Sequence, residues 1–173
     1  HGGIVNSGGI DIPALKEHVR NTGSVKDFPG TEPVANDRIF SIECDIAVPA
    51  AVHDVIHTDN AGAVTARLIV EGANGPITDG ADAILNEKGV TVVPDVVANS
   101  GGATVCHFER TQGLSDQYWE IETVQAQLKK RILDAYRYAA EAAKEAGNQS
   151  LRVGAWIYAL KKIEEAMKLR GWV

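Results

Sequence analysis

Two segments of this sequence pair glycines with side-chain amides in a way that suits ligand binding. The first, Glu71-Gly72-Ala73-Asn74-Gly75-Pro76, follows directly on an apolar run. Its glycines reach backbone angles closed to other residues and allow close approach. Asn74 offers both a donor and an acceptor. The second, Pro94-Asp95-Val96-Val97-Ala98-Asn99-Ser100-Gly101-Gly102-Ala103-Thr104-Val105-Cys106, lies at the end of another apolar run, and its Gly-Gly pair stands ahead of a predicted helix. Free amides at the positive end of that helix would attract a carboxylate, and Asn99 could orient the ligand or cap the helix. Each segment also has a plainer explanation: a strand-to-helix turn that uses glycine for geometry, or a kink or cap. Residue types alone leave both explanations open. Pro49-Ala50-Ala51 ends a third apolar run. Its small side chains leave room for a flat ring against the backbone, although alanines by themselves are a weak signal.

Other chemistry is poorly supported. His53 and His57 stand four residues apart, the spacing by which one helical face can hold zinc, with Asp54 following the first histidine where a zinc protease has its glutamate. No third ligand is evident, so two exposed or capping histidines and no metal are expected. Cys44 and Cys106 fit no zinc pattern and are too few for a disulfide framework. Their apolar surroundings predict two buried thiols in a reducing compartment. No nucleophile of the Ser/Cys–His–Asp kind has a recognisable setting.

The elements that must position these segments follow from periodicity. Asp45–Pro49, Arg67–Glu71 and Thr91–Pro94 are short, continuous apolar runs, the pattern of strands in a parallel sheet covered on both faces. Gaps of roughly 20 residues leave room for the crossover helices that parallel pairs require. One such helix is predicted from Thr78 or Asp79 to a stop at Gly89. Upstream, Asp11 caps an amphipathic helix carrying Ile12, Leu15 and Val19, which Gly23 ends. Residues 23–37 read as a loop with a weak strand near Val34.

From Trp119 onward the pattern becomes helical. Ile121, Val124, Leu128, Ile132, Ala135, Ala139 and Ala143 mark one face of a long helix ending at Gly147. Ser150 caps a second helix with a stripe of Val153, Ile157, Leu160, Ile163 and Met167, which Gly171 stops. Strands alternating with helices, then a helical tail, define an α/β protein.

A sequence of 173 residues with 45% hydrophobic content supports one sizeable core. Seventeen Lys and Arg against 23 Asp and Glu give a net charge of −6, which is no footprint for nucleic acid. No leader pattern opens the chain and no run of about 18 apolar residues occurs, so a cytoplasmic protein with no membrane partner is expected. His1-Gly2-Gly3 carries no initiator methionine, from which we expect a chain cut out of a longer one.

A Rossmann-type dinucleotide-binding domain opens with a strand, a Gly-x-Gly-x-x-Gly turn and a helix. That turn is absent here, and Gly2-Gly3-Ile4 fits the stretch just after the second strand of such a domain. The strings CDIAVPAA, ARLIVEGANGPIT, ADAILNEKGVTVVPD and ANSGGATVCHFE, in this order and spacing, resemble the glutamate dehydrogenases of the Glu/Leu/Phe/Val dehydrogenase family. The resemblance runs from Gly2 through the tail helices.

The resemblance implies a partial Rossmann-like, doubly wound parallel sheet over residues 1–118 without its glycine-rich turn, and a C-terminal helical tail over 119–173 packed on it. It implies oxidative deamination of L-glutamate to 2-oxoglutarate and ammonia with NAD or NADP, in a homo-oligomer when full length. Ala50, Ala51 and Asn74 would lie along the nicotinamide. Asn99 would sit between nicotinamide and substrate, and Gly101, Gly102, Ala103 and Cys106 would line the amino-acid pocket. The family's catalytic lysine and aspartate belong to an N-terminal substrate domain with no counterpart here, so the isolated chain is expected to be silent. Two departures bear on the substrate. Cys106 stands where the family has a serine that helps hold the side-chain carboxylate, and Ala103 replaces a larger valine. A dehydrogenase of an apolar amino acid (Leu, Val or Phe) is therefore the alternative, with a non-catalytic nucleotide-binding module as the rival from another class.

Overall fold

A computed structural model describes residues 2–172; His1, on which the expectation of a longer chain partly rests, and Val173 lie outside the described residues. Three parallel strands form the central sheet in the order β3 (Ile46–Ala47), β4 (Leu68–Val70), β5 (Thr91–Val93). Ile46 pairs with Leu68, and Ile69 in turn with Val92. These strands sit inside the three predicted runs but are shorter, because each run's last residue already turns into a loop. Ile69 is wholly buried at the centre, as its continuous apolar neighbourhood requires.

Before the sheet come β1 (Gly3–Val5), α1 (Ile12–Thr22) and β2 (Glu32–Val34). The weak strand predicted near Val34 pairs antiparallel with β1, a strand that periodicity does not mark. Asp11 caps α1 through the Ala14 N–H at 3.0 Å, and Gly23 ends it in the left-handed conformation. A short 3-10 helix, Asn36–Ser41, leads to β3.

The two crossovers differ. Between β4 and β5 runs α3 (Asp79–Glu87), capped by Thr78 as expected. Between β3 and β4 there is only a one-turn α2 (Thr58–Ala61), supplemented by a parallel bridge from Ile56 to Ile77. Asp54, at φ 54°, breaks any helix through His53–His57, so the two histidines share no helical face. His53 instead bonds Asp54 at 2.8 Å. No group of three or more metal-ligating side chains occurs among the described residues. The main core joins Ile56, Val64, Ile69, Ile77, Leu85 and Val92 between the sheet and these crossovers.

After β5 come α4 (Asp95–Ala98), α5 (Gly101–Ser115), α6 (Ile121–Glu145) and α7 (Leu151–Leu169). Ser150 caps α7 through the Val153 N–H. Helix α7 folds back along α6, with Tyr138 stacked on Tyr158 at 4.9 Å. The predicted apolar stripe of α7 is covered only in part: Val153, Leu160 and Ile163 are exposed, whereas Ile157 and Met167 are half-buried. The buried face instead uses Gly154, with Ala139 and Ala143 opposite. Small residues let the two backbones approach, so the closest contact falls on a glycine that a hydrophobic stripe does not mark. Both cysteines are exposed, contrary to the expectation of buried thiols. Cys44 lies in the loop before an edge strand and Cys106 on the outward side of α5. No helix is long and apolar enough to cross a membrane among the described residues.

A Cβ built on Gly154 would lie 2.1 Å from the Ala139 carbonyl oxygen and 2.7 Å from the Ala143 Cβ. The Gly154→Val variant should therefore lose about 1–3 kcal/mol or more by overpacking, despite removing a helical glycine. Denaturant unfolding followed by circular dichroism measures this, and an unchanged midpoint would show that the helices can separate freely.

Candidate functional site at the carboxyl ends of the strands

The carboxyl end of β4 is where the two glycine-rich segments meet. Glu71 leaves the strand fully buried, and the chain then turns through Gly72 to Pro76. The amides of Gly72 and Ala73 both donate to the Pro49 carbonyl, at 3.0 and 2.9 Å, which locks this turn to the end of β3. A Cβ on Gly72 would stand 3.0 Å from the Ala50 Cβ. Glycine at 72 and alanine at 50 thus permit a contact that larger residues would force apart. Gly75, at φ +55°, takes a left-handed conformation that side chains disfavour. Its N–H donates to Asp95 Oδ2 at 2.8 Å.

Within the second segment, Asp95 is the first residue of α4. Asn99 ends that single turn, and its amide nitrogen donates to Asn74 Oδ1 at 2.7 Å and, more weakly, to the Gly72 carbonyl at 3.4 Å. Asn99 therefore does not cap α5; it bridges the two loops. This bond leaves Asn74 Nδ2 and Asn99 Oδ1 without a side-chain hydrogen bond among the described residues, so a donor and an acceptor remain for a ligand. Helix α5 starts at Gly101 with no side-chain cap bond, which leaves its first amides available to an anion. Gly102, Ala103 and Cys106 are exposed there.

The predicted residues thus fall into two groups. Asn74 and Asn99 are hydrogen-bonded, with Gly101, Gly102, Ala103 and Cys106 following along α5. Ala50 touches Gly72, and with Ala51 it also lines a cleft of about 550 Å³ bounded by Phe40, Pro49, His57 and Asn60. Neither Asn74 nor Asn99 nor any α5 residue lines that cleft.

Beneath both loops lies a cluster that residue patterns missed. Arg152, in the first turn of α7, grips Glu71 with both ends of its guanidinium, at 2.6 and 3.1 Å. It also donates to Asp82 Oδ1 at 3.2 and 3.3 Å and approaches Asp95 at 3.8 Å. Glu71 Oε2 accepts the Asp95 N–H at 2.7 Å as well. Burial by itself would lower the Arg152 pKa, but the bonds to Glu71 and then Asp82 outweigh it and hold the guanidinium well above its ordinary value. One signal could have found this residue. A cation in the first turn of a helix opposes the macrodipole, so an arginine there implies an acidic partner elsewhere.

Small and amide-bearing loops at the carboxyl ends of parallel strands are where open α/β sheets bind their ligands. The arrangement is that of an α/β domain whose candidate ligand site lies at the strand ends. The chain belongs to the Glutamate/Leucine/Phenylalanine/Valine dehydrogenase family, a family of oxidoreductases, whose model matches residues 1–171. It is 39% identical to a glutamate dehydrogenase of Thermotoga maritima over 98% of this chain and 41% of that protein. Among solved structures it resembles a hetero-hexameric glutamate dehydrogenase from Thermus thermophilus in its Leu-bound form. That match has a TM-score of 0.89 and 31% identity, covering 98% of this chain and 39% of the other. The glutamate dehydrogenase of Peptoniphilus asaccharolyticus gives 0.79 and 32%, covering 97% and 37%. The chain spans about two fifths of the length of these relatives.

Arg152→Met should destabilise the protein by about 3–5 kcal/mol, because it leaves the buried Glu71 carboxylate without its counter-ion. Arg67→Ala breaks an equally short pair, with Asp45 at 2.7 Å, that is largely open to solvent, and should leave the unfolding midpoint nearly unchanged. Equilibrium unfolding of the two variants side by side checks the contrast; similar losses would refute it.

Proposed function

We propose that this chain supplies the nicotinamide-facing and substrate-facing loops of an NAD(P)-dependent glutamate dehydrogenase. The observation that carries this reading is the Asn74–Asn99 bond, which leaves one free amide donor and one free acceptor side by side at the strand ends. A nicotinamide carboxamide presents the complementary pair, and the methyl group of Ala50 with the bare backbone of Gly72 gives a ring a surface to lie on. The bound dinucleotide supplies the hydride acceptor. The chain's own part is to orient the ring through Asn74 and Asn99 and to hold a substrate carboxylate at the first amides of α5, near Gly101 and Gly102. Ala50 and Ala51 border the cofactor, and Asn99 faces both ligands.

Proton transfer requires a base beside the substrate amine. On this reading the base comes from polypeptide outside this chain, which by itself turns over nothing. Residues 119–173 act as a tail packed on a partial dinucleotide-binding domain spanning 1–118, and the complete enzyme is a cytoplasmic homo-oligomer. A second reading, oxidation of Leu, Val or Phe, is favoured by one feature: Ala103 and Cys106 present a small side chain and a thiol on the exposed side of α5, and a thiol is a weak donor to a carboxylate.

Initial rates for glutamate, leucine, valine and phenylalanine with the complete polypeptide decide between the two. Glutamate is expected to lead, and slower turnover of glutamate than of the apolar three would reverse the assignment. Cys106→Ser should then raise kcat/KM for glutamate by up to about 10-fold, the value of one better hydrogen bond, with little change for leucine. Asn99→Ala should lower kcat by about 100-fold through loss of ring orientation, measured at saturating cofactor.

A further inference from the structure

We infer that Arg152 is a positioning residue for the reaction: from α7, through Glu71 and Asp95, it sets the relative placement of the loops that carry Asn74 and Asn99. This rests on the dehydrogenase reading above.

The covalent path makes the coupling short. Glu71 begins the loop that carries Asn74, and Asp95 begins the helical turn that carries Asn99. The two loops are joined at that root by the Asp95 N–H to Glu71 Oε2 bond at 2.7 Å and the Gly75 N–H to Asp95 Oδ2 bond at 2.8 Å. They are joined again at the tip by Asn99 and Asn74 at 2.7 Å. Arg152 holds the root from a third element, far away in sequence. Its Nη1 and Nη2 take the two oxygens of Glu71, and Asp82 of α3 steadies the same guanidinium.

The charges support a positioning role. Three carboxylates, Glu71, Asp82 and Asp95, converge on one cation, with Glu71 fully buried and the Arg152 side chain 22% exposed. Without the arginine, Glu71 and Asp95 repel at the point where their loops must stay joined. A lysine could supply the charge but not the fork that spans Glu71 and Asp82 together.

The test uses the complete dehydrogenase polypeptide and the double variant Glu71→Gln/Arg152→Met. The side-chain amide introduced at position 71 can still accept the Asp95 N–H and leaves no charge there; Asp82 and Asp95 lose their cation but keep 15% and 19% of their side-chain surface in solvent, so the fold is preserved while the α7 link is lost. If Arg152 positions the loops, kcat falls by about 10-fold or more while KM for amino acid and dinucleotide stays within about threefold. Amide hydrogen exchange should quicken over residues 71–76 and 94–100 and stay at parent rates over α6 and α7. A kcat within about twofold of the parent, or exchange rising equally throughout α6 and α7, would overturn the inference and leave Arg152 a stability anchor. Arg152→Lys, which keeps the charge, should show the same local exchange with a smaller kcat loss, and full recovery of both would refute the role of the fork. Should the unsubstituted polypeptide oxidise no amino acid, the dehydrogenase reading fails on its own, and the exchange pattern alone decides whether Arg152 organises the two loops.

Discussion

The ion cluster around Glu71 is the constraint on which the rest of this structure depends. A carboxylate taken fully out of water at the end of a central strand is tolerated only when it is paired and its oxygens are hydrogen-bonded. Arg152 and the Asp95 amide meet that demand together. Because Arg152 belongs to α7, the demand reaches across the whole chain: the tail must return to the sheet, and must do so at its first turn. The charge therefore fixes where the helical hairpin docks, with a directionality that apolar contact alone does not provide.

The docking in turn explains the composition of α6 and α7. Bringing the first turn of α7 to Glu71 places its backbone close to α6, and only Gly154 fits against Ala139 and Ala143 there. Tyr138 and Tyr158 stack further along the same seam. Most of the large apolar side chains of α7, Val153, Trp156, Leu160 and Ile163 among them, are left exposed, while a glycine, an arginine and a tyrosine take inward positions. Small residues at a close helix crossing thus follow from a polar requirement a few residues away.

This logic separates what was legible in the residues from what was not. The three strands, the caps at Asp11, Thr78 and Ser150 and the stops at Gly23 and Gly147 rest on local rules, and each appears in the structure. The parallel order of the sheet follows from the spacing of apolar runs. The misreadings all concern nonlocal facts. The stripe of α7 identified an apolar face but not whether a partner covers it. The cysteines were judged by their neighbours in sequence, whereas Cys44 sits beside an edge strand and Cys106 on an outward helical face. A shared helical face for His53 and His57 fails because Asp54 turns the chain back so that Ile56 can bridge to Ile77. At the site, glycine and asparagine marked the two loops at the strand ends, while the residue types left ligand binding and plain turn geometry equally open. Arg152 was visible only as an anomaly, a cation at the wrong end of a helix.

The geometry also divides the site into a part that resists change and a part that does not. Glu71, Asp95 and Arg152 are mutually bonded, so altering one perturbs the others, and their effects cannot be additive. Ala103 and Cys106 are exposed one turn apart on α5 and take no part in that network. Substitutions there leave the root of the loops undisturbed. A family that acts on amino acids as different as glutamate and phenylalanine needs such a division: a fixed frame for the shared chemistry and an independent surface for the side chain. In this chain the frame is ionic and buried, and on the proposed reading the variable surface is the exposed face of α5 that carries Ala103 and Cys106.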